Sequence, residues 1–217
     1  VLKTVHQLST TKFRDTTDYH LRTNLQFPPD FGLGSSSTLM NNLAEWSGID
    51  AFELNDKCLG GSGYDVAIAK AKTPILFKIE HEQRHFEKID FNPDFKDELI
   101  FVHLNQKQNS REGINLYKSL KKPENLFEEL SQITTQVISC KSLDAFSALM
   151  DRHESLLSDF LGLETSKTQF FSDCPVFIKS LGAWGGDFVM SSKFPNFREY
   201  FQQRGFNTIF GWNELIL

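Results

Sequence analysis

Three features of the 217-residue sequence point to an α+β fold. Short runs of strand character stand at 19–27, 75–80, 99–104, 176–181 and 188–191, some alternating and some continuously apolar. A long middle region, from Glu112 to about Leu161, instead repeats its apolar residues at helical spacing. Strands and helices do not alternate strictly, so a parallel sheet built from βαβ units is not the expectation.

In chain order, residues 1–13 are expected to be helical, with Val1, Leu2, Val5 and Leu8 near one face. In the next segment Tyr19, Leu21, Thr23, Leu25 and Phe27 alternate with His20, Arg22, Asn24 and Gln26, the pattern of a half-buried strand. Pro28-Pro29 ends it, because proline cannot continue a ladder. A helix through Leu39, Leu43 and Trp46 follows, and Asp50 caps a second one that stops at Gly60-Gly61. Strands are expected at 75–80 and 99–104, with 84–91 as a hairpin partner of the first. The region 112–161 divides into two or three helices. Pro123 can open one of them, and Leu143, Phe146, Leu149, Met150 and Leu156 stripe the next. Two strands around a glycine loop, a helix near 196–204 and a short last strand complete the chain.

Composition narrows the function classes. Lys and Arg number 23 against 28 Asp and Glu, a net charge of −5, which argues against a general nucleic-acid-binding surface. The three cysteines, Cys58, Cys140 and Cys174, are few, odd in number and far apart, as expected for free thiols in a reducing, cytoplasmic setting. No run approaches the roughly 20 apolar residues of a membrane span, and no secretory signal is visible. The 21 phenylalanines supply large core rings without indicating an activity. The oligomeric state is left open.

The most informative stretch is Gly32-Leu33-Gly34-Ser35-Ser36-Ser37-Thr38, which follows an expected strand and opens an expected helix. The first N–H groups of a helix lack internal partners and carry the positive end of its dipole, while glycines let a ligand approach the backbone. This combination suits a phosphate. The turn is not a Walker A loop, since no Gly-Lys-Ser/Thr stands at that spacing, and Ser37 occupies the third glycine position of the dinucleotide pattern. A serine-rich helix start after a tight turn is the plainer alternative. Two more glycine segments strengthen the phosphate reading: Gly60-Gly61-Ser62-Gly63-Tyr64-Asp65-Val66-Ala67, and Lys179-Ser180-Leu181-Gly182-Ala183-Trp184-Gly185-Gly186-Asp187.

In these three segments the sequence resembles the GHMP kinases: galactokinase, homoserine kinase, mevalonate kinase and phosphomevalonate kinase. Pro28-Pro29-Asp30-Phe31-Gly32-Leu33-Gly34-Ser35-Ser36-Ser37 is similar to their P-x-x-x-G-L-G-S-S-A motif, with Ser for the final Ala. Ser62-Gly63-Tyr64-Asp65-Val66-Ala67 is similar to S-G-x-D-x-A of the mevalonate kinase branch, nearest a G-Y-D-I-A variant. The 179–187 segment resembles the third motif, and the stretch from His153 to Leu163 the helix before it. The resemblance runs over about 28–192 with the motifs in order.

It implies an S5-like N-terminal nucleotide-binding domain, of which 1–105 is the remainder, and a ferredoxin-like C-terminal domain over 106–217. The family's first, lysine-bearing motif has no counterpart before the starting Val1, so the N-terminal part is expected to be missing. The implied activity is ATP- and magnesium-dependent phosphorylation of a small metabolite. Gly32, Leu33, Gly34, Ser35, Ser36 and Ser37 would hold the phosphates, Ser36 would also ligate magnesium, and Asp65 would orient or deprotonate the acceptor. Ser62, Gly63, Gly182, Ala183, Gly185 and Gly186 would close over phosphate or substrate. Two features depart from the pattern. Trp184 and Asp187 replace glycine-like positions, and Leu54 stands where a magnesium-ligating glutamate would fall. A nucleotide-binding protein without kinase activity is therefore the alternative.

Other signals compete. His81-Glu82-Gln83-Arg84-His85 matches H-E-x-x-H, which on a helix would make a zinc hydrolase site of His81, Glu82 and His85. The strand-like run entering it argues for a polar hairpin or exposed turn instead. Asp65 alone reads equally as a turn or cap residue after glycines, and His153 as a packing residue. The segment Gln106–Arg111 after a strand reads equally as a phosphate or substrate loop and as a solvated connection, and Arg111 is its candidate contact, because guanidinium binds phosphate through two parallel hydrogen bonds.

Overall fold

The computed structural model describes residues 1–106, 110–182 and 186–216, with the side chains of residues 110 and 111 outside that description. The chain divides into two compact units. One comprises Val1–Pro29 and Leu33–Phe91, the other Asp30–Gly32 and Asn92–Leu217.

The first unit is four helices and a hairpin. Helix α1 (Leu2–Leu8) buries Val5, and at its end Ser9 donates its hydroxyl to the Ser47 carbonyl at 2.7 Å. Helix α2 (Ser35–Ser47) buries Met40, Leu43, Ala44 and Ser47, the one-face spacing of an amphipathic helix, and ends at Gly48 in the left-handed conformation. Helix α3 (Ala51–Cys58) starts as expected: Asp50 Oδ1 accepts the Glu53 N–H at 2.9 Å. Helix α4 (Tyr64–Ala71), unanticipated in the sequence, buries Val66, Ala67 and Ala71. Val5, Met40, Leu43, Ala51, Leu54 and Val66 form one core.

Strands β1 (Ile75–Glu80) and β2 (Gln83–Lys88) pair antiparallel from Ile75 opposite Lys88 to Glu80 opposite Gln83. The two residues between them, His81 and Glu82, have φ of 50° and 64°, the positive pair that a tight two-residue hairpin turn requires. This overturns the zinc reading. His81 and Glu82 form the turn and His85 sits opposite Lys78, so the two imidazoles never share a helical face. Among the described residues no group of three His, Cys, Asp or Glu side chains is placed to hold a metal.

The strand expected over 19–27 does not form. The described strands pair only among themselves, and an alternating segment without a neighbour has nowhere to place its backbone hydrogen bonds. Leu21 and Leu25 are accordingly 38% and 42% exposed. Tyr19 instead sets its ring edge-on to Phe13 and Trp46, at 5.0 and 5.3 Å.

The second unit is built on a four-stranded antiparallel sheet of β3 (Leu99–His103), β4 (Ile178–Leu181), β5 (Phe188–Ser192) and β6 (Ile209–Gly211), in the order β4-β5-β3-β6. Helices α5 (Ser110–Ser119), α6 (Leu126–Ser139), α7 (Leu143–Leu161) and α8 (Ser166–Phe170) lie between β3 and β4 in sequence. Helix α9 (Phe197–Gln202) lies between β5 and β6, and α10 (Trp212–Leu215) follows. A strand, helices, two strands, a helix and a strand in this spatial order make the ferredoxin-like arrangement. Strands β3 and β5 are buried along their whole length, which explains their continuous apolar character. Ile100 and Val102 of β3 pack in a core with Phe171, Ile178, Val189 and Phe201. Phe101, between them, turns the other way to Trp212.

No described helix is long and apolar enough to cross a membrane. Cys58, Cys140 and Cys174 are free thiols.

Candidate functional site

Gly34 is the residue before the first turn of α2, with φ 73° and ψ 27°, a left-handed conformation that glycine adopts at little cost. No side chain caps the helix. The first intrahelical bond is Thr38 N–H to the Gly34 carbonyl at 3.0 Å, so the N–H groups of Ser35, Ser36 and Ser37 have no partner within the helix. The hydroxyls divide the work. Ser37 is 5% exposed and donates to the Gly34 carbonyl at 2.8 Å, with Thr38 Oγ1 donating to the same oxygen at 3.0 Å. These two bonds fix the turn. Ser36 is exposed, and neither it nor Ser35 spends its hydroxyl on another described residue. A 13-residue helix with an uncapped, glycine-led start fits a phosphate, and the Ser36 hydroxyl is a hard oxygen donor of the kind magnesium takes.

Asp65 stands in the first turn of α4, which Gly63 opens with φ 80°. Asn41 ties this helix to α2. Its amide donates to the Ser37 carbonyl and to the Val66 carbonyl, each at 3.1 Å. The phosphate-type turn and the residue next to Asp65 thus share one bridging side chain. The preceding loop is clamped by Arg84 of β2. Its Nε donates to the Ser62 carbonyl at 2.7 Å, and its two terminal nitrogens reach the Asp56 carboxylate at 2.9 and 2.6 Å. The guanidinium stands 5.3 Å from the Phe52 ring centroid. A Cβ on Gly63 would fall 2.9 Å from Arg84 Nε and 3.1 Å from Phe52, so the clamp requires glycine. Asp65 is at the surface, yet the protein around it withholds enough solvent to raise its carboxyl above the usual range. A hydrogen bond from Tyr64 opposes that rise, and the Tyr64 phenol is pushed up to about 12, first by desolvation and then by the Asp65 charge. Leu54 is fully buried in the core and offers no ligand.

In the second unit, Glu154 of α7 organises the start of the other glycine loop. It is 6% exposed and accepts from Lys179 Nζ at 2.9 Å, Ser180 N–H at 3.2 Å and Ser180 Oγ at 2.8 Å. Beside it His153 is pushed down to about 4, by burial first and the Lys179 charge second, and its Nδ1 has no hydrogen-bond partner among the described residues. Gly182 has φ 79°, and a Cβ on Gly186 would overlap the Leu181 carbonyl, so only glycine permits that close approach. Ala183, Trp184 and Gly185 lie outside the described residues, as does the Arg111 side chain.

The residues just before the phosphate-type turn are anchored on the same sheet. The Phe31 ring lies 4.7 Å from that of His103 and 5.6 Å from that of Phe188. Gly32, with φ 66°, lies against Asp187. A Cβ there would overlap the Asp187 carboxylate and stand 2.9 Å from the Asp187 Cβ. Sequence reasoning missed Asn41, Arg84 and Glu154 as supports. Glu154 alone left a trace, a carboxylate continuing the buried stripe of Phe146 and Met150 on α7.

No protein-family model and no curated protein matches the chain. Solved structures do. The mevalonate kinase of Methanococcus jannaschii aligns with a TM-score of 0.58 and 19% identity, over 86% of this chain and 65% of that one. A second mevalonate kinase crystal structure gives 0.57 and 19%, over 85% and 65%. The L. major mevalonate kinase, solved in complex with R-mevalonate, gives 0.53 and 15%, over 79% and 57%. The chain spans 65% of the length of the first two. Over the part that aligns, it has the α+β fold of the mevalonate kinases, the GHMP-type fold.

Proposed function

We propose that the protein is an ATP-dependent small-molecule kinase of GHMP type, transferring the γ-phosphoryl group to a hydroxyl or phosphate of a mevalonate-like or similarly small metabolite. The observation that carries this reading is the Asn41 bridge. It locks an uncapped, glycine-led helix start to the helix bearing Asp65, in a chain with the mevalonate kinase fold.

In this reading Gly32, Leu33, Gly34, Ser35, Ser36 and Ser37 would receive the phosphates, and the hydroxyl of Ser36 would be a ligand for magnesium. Magnesium, when bound, supplies neutralisation of the phosphate charge. Asp65 holds the acceptor hydroxyl and takes its proton. Ser62, Gly63, Gly182, Ala183, Gly185, Gly186 and Arg111 are assigned to the substrate or phosphate region on the sequence alone. Phosphoryl transfer needs mainly positioning and charge stabilisation, which rigid backbone donors and one well-held carboxylate supply.

The test is ATP turnover across a panel of small hydroxy acids, sugars and their phosphates, mevalonate included. We expect acceptor-dependent ADP release that Asp65→Asn lowers by about a hundredfold or more, with ATP affinity retained. Tight ATP binding with no turnover on any acceptor would favour a nucleotide-binding protein without kinase activity. Full turnover by Asp65→Asn would remove Asp65 from the mechanism.

A further inference from the structure

We propose that the second unit carries a binding site for a small aliphatic primary amine, in the cavity between the C-terminal half of α7, the start of α8 and strand β4. The site lies wholly within that unit, and it does not depend on the kinase reading.

The cavity measures about 360 Å³, within the range of small-ligand sites. Leu157, Leu161 and Leu163 give it an apolar wall, and Leu163 keeps 42% of its surface exposed. The backbone around it is held in place. Helix α7 ends at Gly162 in the left-handed conformation, and Ser158 Oγ donates to the Leu163 carbonyl at 2.5 Å. Thr165 caps α8 by accepting the Thr168 N–H at 3.0 Å.

The polar lining is made of acceptors. The Ser180 hydroxyl spends its hydrogen on Glu154 and the Ser158 hydroxyl on Leu163, so both have only lone pairs left to offer. The buried Glu154 carboxylate is neutralised by Lys179 Nζ at 2.9 Å. The exposed Glu164 carboxylate is not. It makes no hydrogen bond or ion pair with another described residue, and neither does the Gln169 side-chain amide. The nearby lysines are engaged elsewhere: Lys179 with Glu154 and the Ser180 carbonyl, Lys167 with the Val176 carbonyl at 2.7 Å.

This lining decides the class of ligand. An anion would meet Glu164 with no counter-charge beside it. A plain hydrocarbon would displace water from the acceptors and leave them unpaired. A metal ion would lack ligands, since among the described residues no three His, Cys, Asp or Glu side chains are grouped to hold one. A primary ammonium brings a positive charge and three N–H donors, and its bonds to a carboxylate are of the strong, charge-assisted kind. A short methylene chain behind it covers the leucines and removes their surface from water.

The experiment titrates the full chain with n-butylamine, 1-butanol and butyrate, which share a four-carbon skeleton and differ in charge, and follows the amide resonances. We expect the amine to shift the amides of Ser158, Leu163, Thr165 and Gln169, and to bind about tenfold or more tighter than the alcohol or the carboxylate. Glu164→Gln, at an exposed position, should weaken the amine by about tenfold and leave the alcohol unchanged. Asp159→Asn removes the same charge from an exposed α7 position outside the cavity and should change neither. Equal binding of amine and alcohol, the same loss in Asp159→Asn as in Glu164→Gln, or a titration that spares these four amides overturns the inference. ATP turnover plays no part in the readout, so the kinase reading and this one fail separately.

Discussion

At the scale of single residues, two titrations define how the protein should respond to pH. Asp65 must be ionised to accept a proton, and its carboxyl is raised by desolvation. The acid limb of activity should therefore sit above the ordinary carboxylate range, and a pH–rate profile will locate it. Because the raised value means the folded state disfavours the charge, Asp65→Asn should leave stability at neutral pH unchanged or slightly higher. A fall in its melting temperature would contradict that cause. His153 has the opposite sign of consequence. Its imidazole is held down from 6.5 to about 4, so the unfolded chain takes up a proton first. Its contribution to stability is complete above 6.5 and is lost as the pH falls from there towards 4. Denaturation midpoints between about pH 7 and pH 4 should fall, and His153→Gln should flatten that slope. Asp65 was legible in the sequence because its neighbours in the chain form a motif. Asn41 and Arg84 were not, because their partners Val66 and Ser62 lie 25 and 22 residues away, and only folding brings them together.

At the scale of elements, the two clamps differ in what their loss should cost. The Glu154–Lys179 pair joins α7 to β4 with both side chains buried. Lys179→Ala leaves a buried carboxylate without its counter-charge, and we expect about 3–5 kcal/mol of destabilisation in denaturant unfolding. The double variant Glu154→Leu, Lys179→Met should recover most of it, since a packed apolar pair often replaces a buried ion pair without loss. The Arg84–Asp56 pair is partly exposed, so Arg84→Ala should cost no more than about 1 kcal/mol. Its effect should appear in amide exchange at Ser62 and Gly63, which should speed up as the clamp on that loop is lost. Elements with strong local signals were readable: α2 from its apolar spacing, α3 from the Asp50 cap, and β1 with β2 from the strand runs. The stretch 19–27 was misread because alternation describes a segment's faces and says nothing about whether a neighbouring strand exists. Helix α4 was hidden because glycines and Asp65 at its start also read as a turn.

At the scale of the molecule, the fold was legible through two independent routes. The order of helical and strand patterns pointed to α+β, and the glycine-serine turn carried the family resemblance. The ferredoxin-like order of β4-β5-β3-β6 could not be read from periodicity, because strand neighbours are set by long-range pairing. The approach of Asp187 to Gly32 was equally invisible, since 155 residues separate them, and only the departure from glycine at 187 marked the position. Amide hydrogen exchange with and without saturating Mg2+ and ATP tests the proposal that this molecule holds nucleotide phosphate at the turn that opens α2. Slowed exchange at residues 34–38 and at Gly182 is the expected result. Unchanged exchange at 34–38 with nucleotide bound, or no binding at all, would contradict the account.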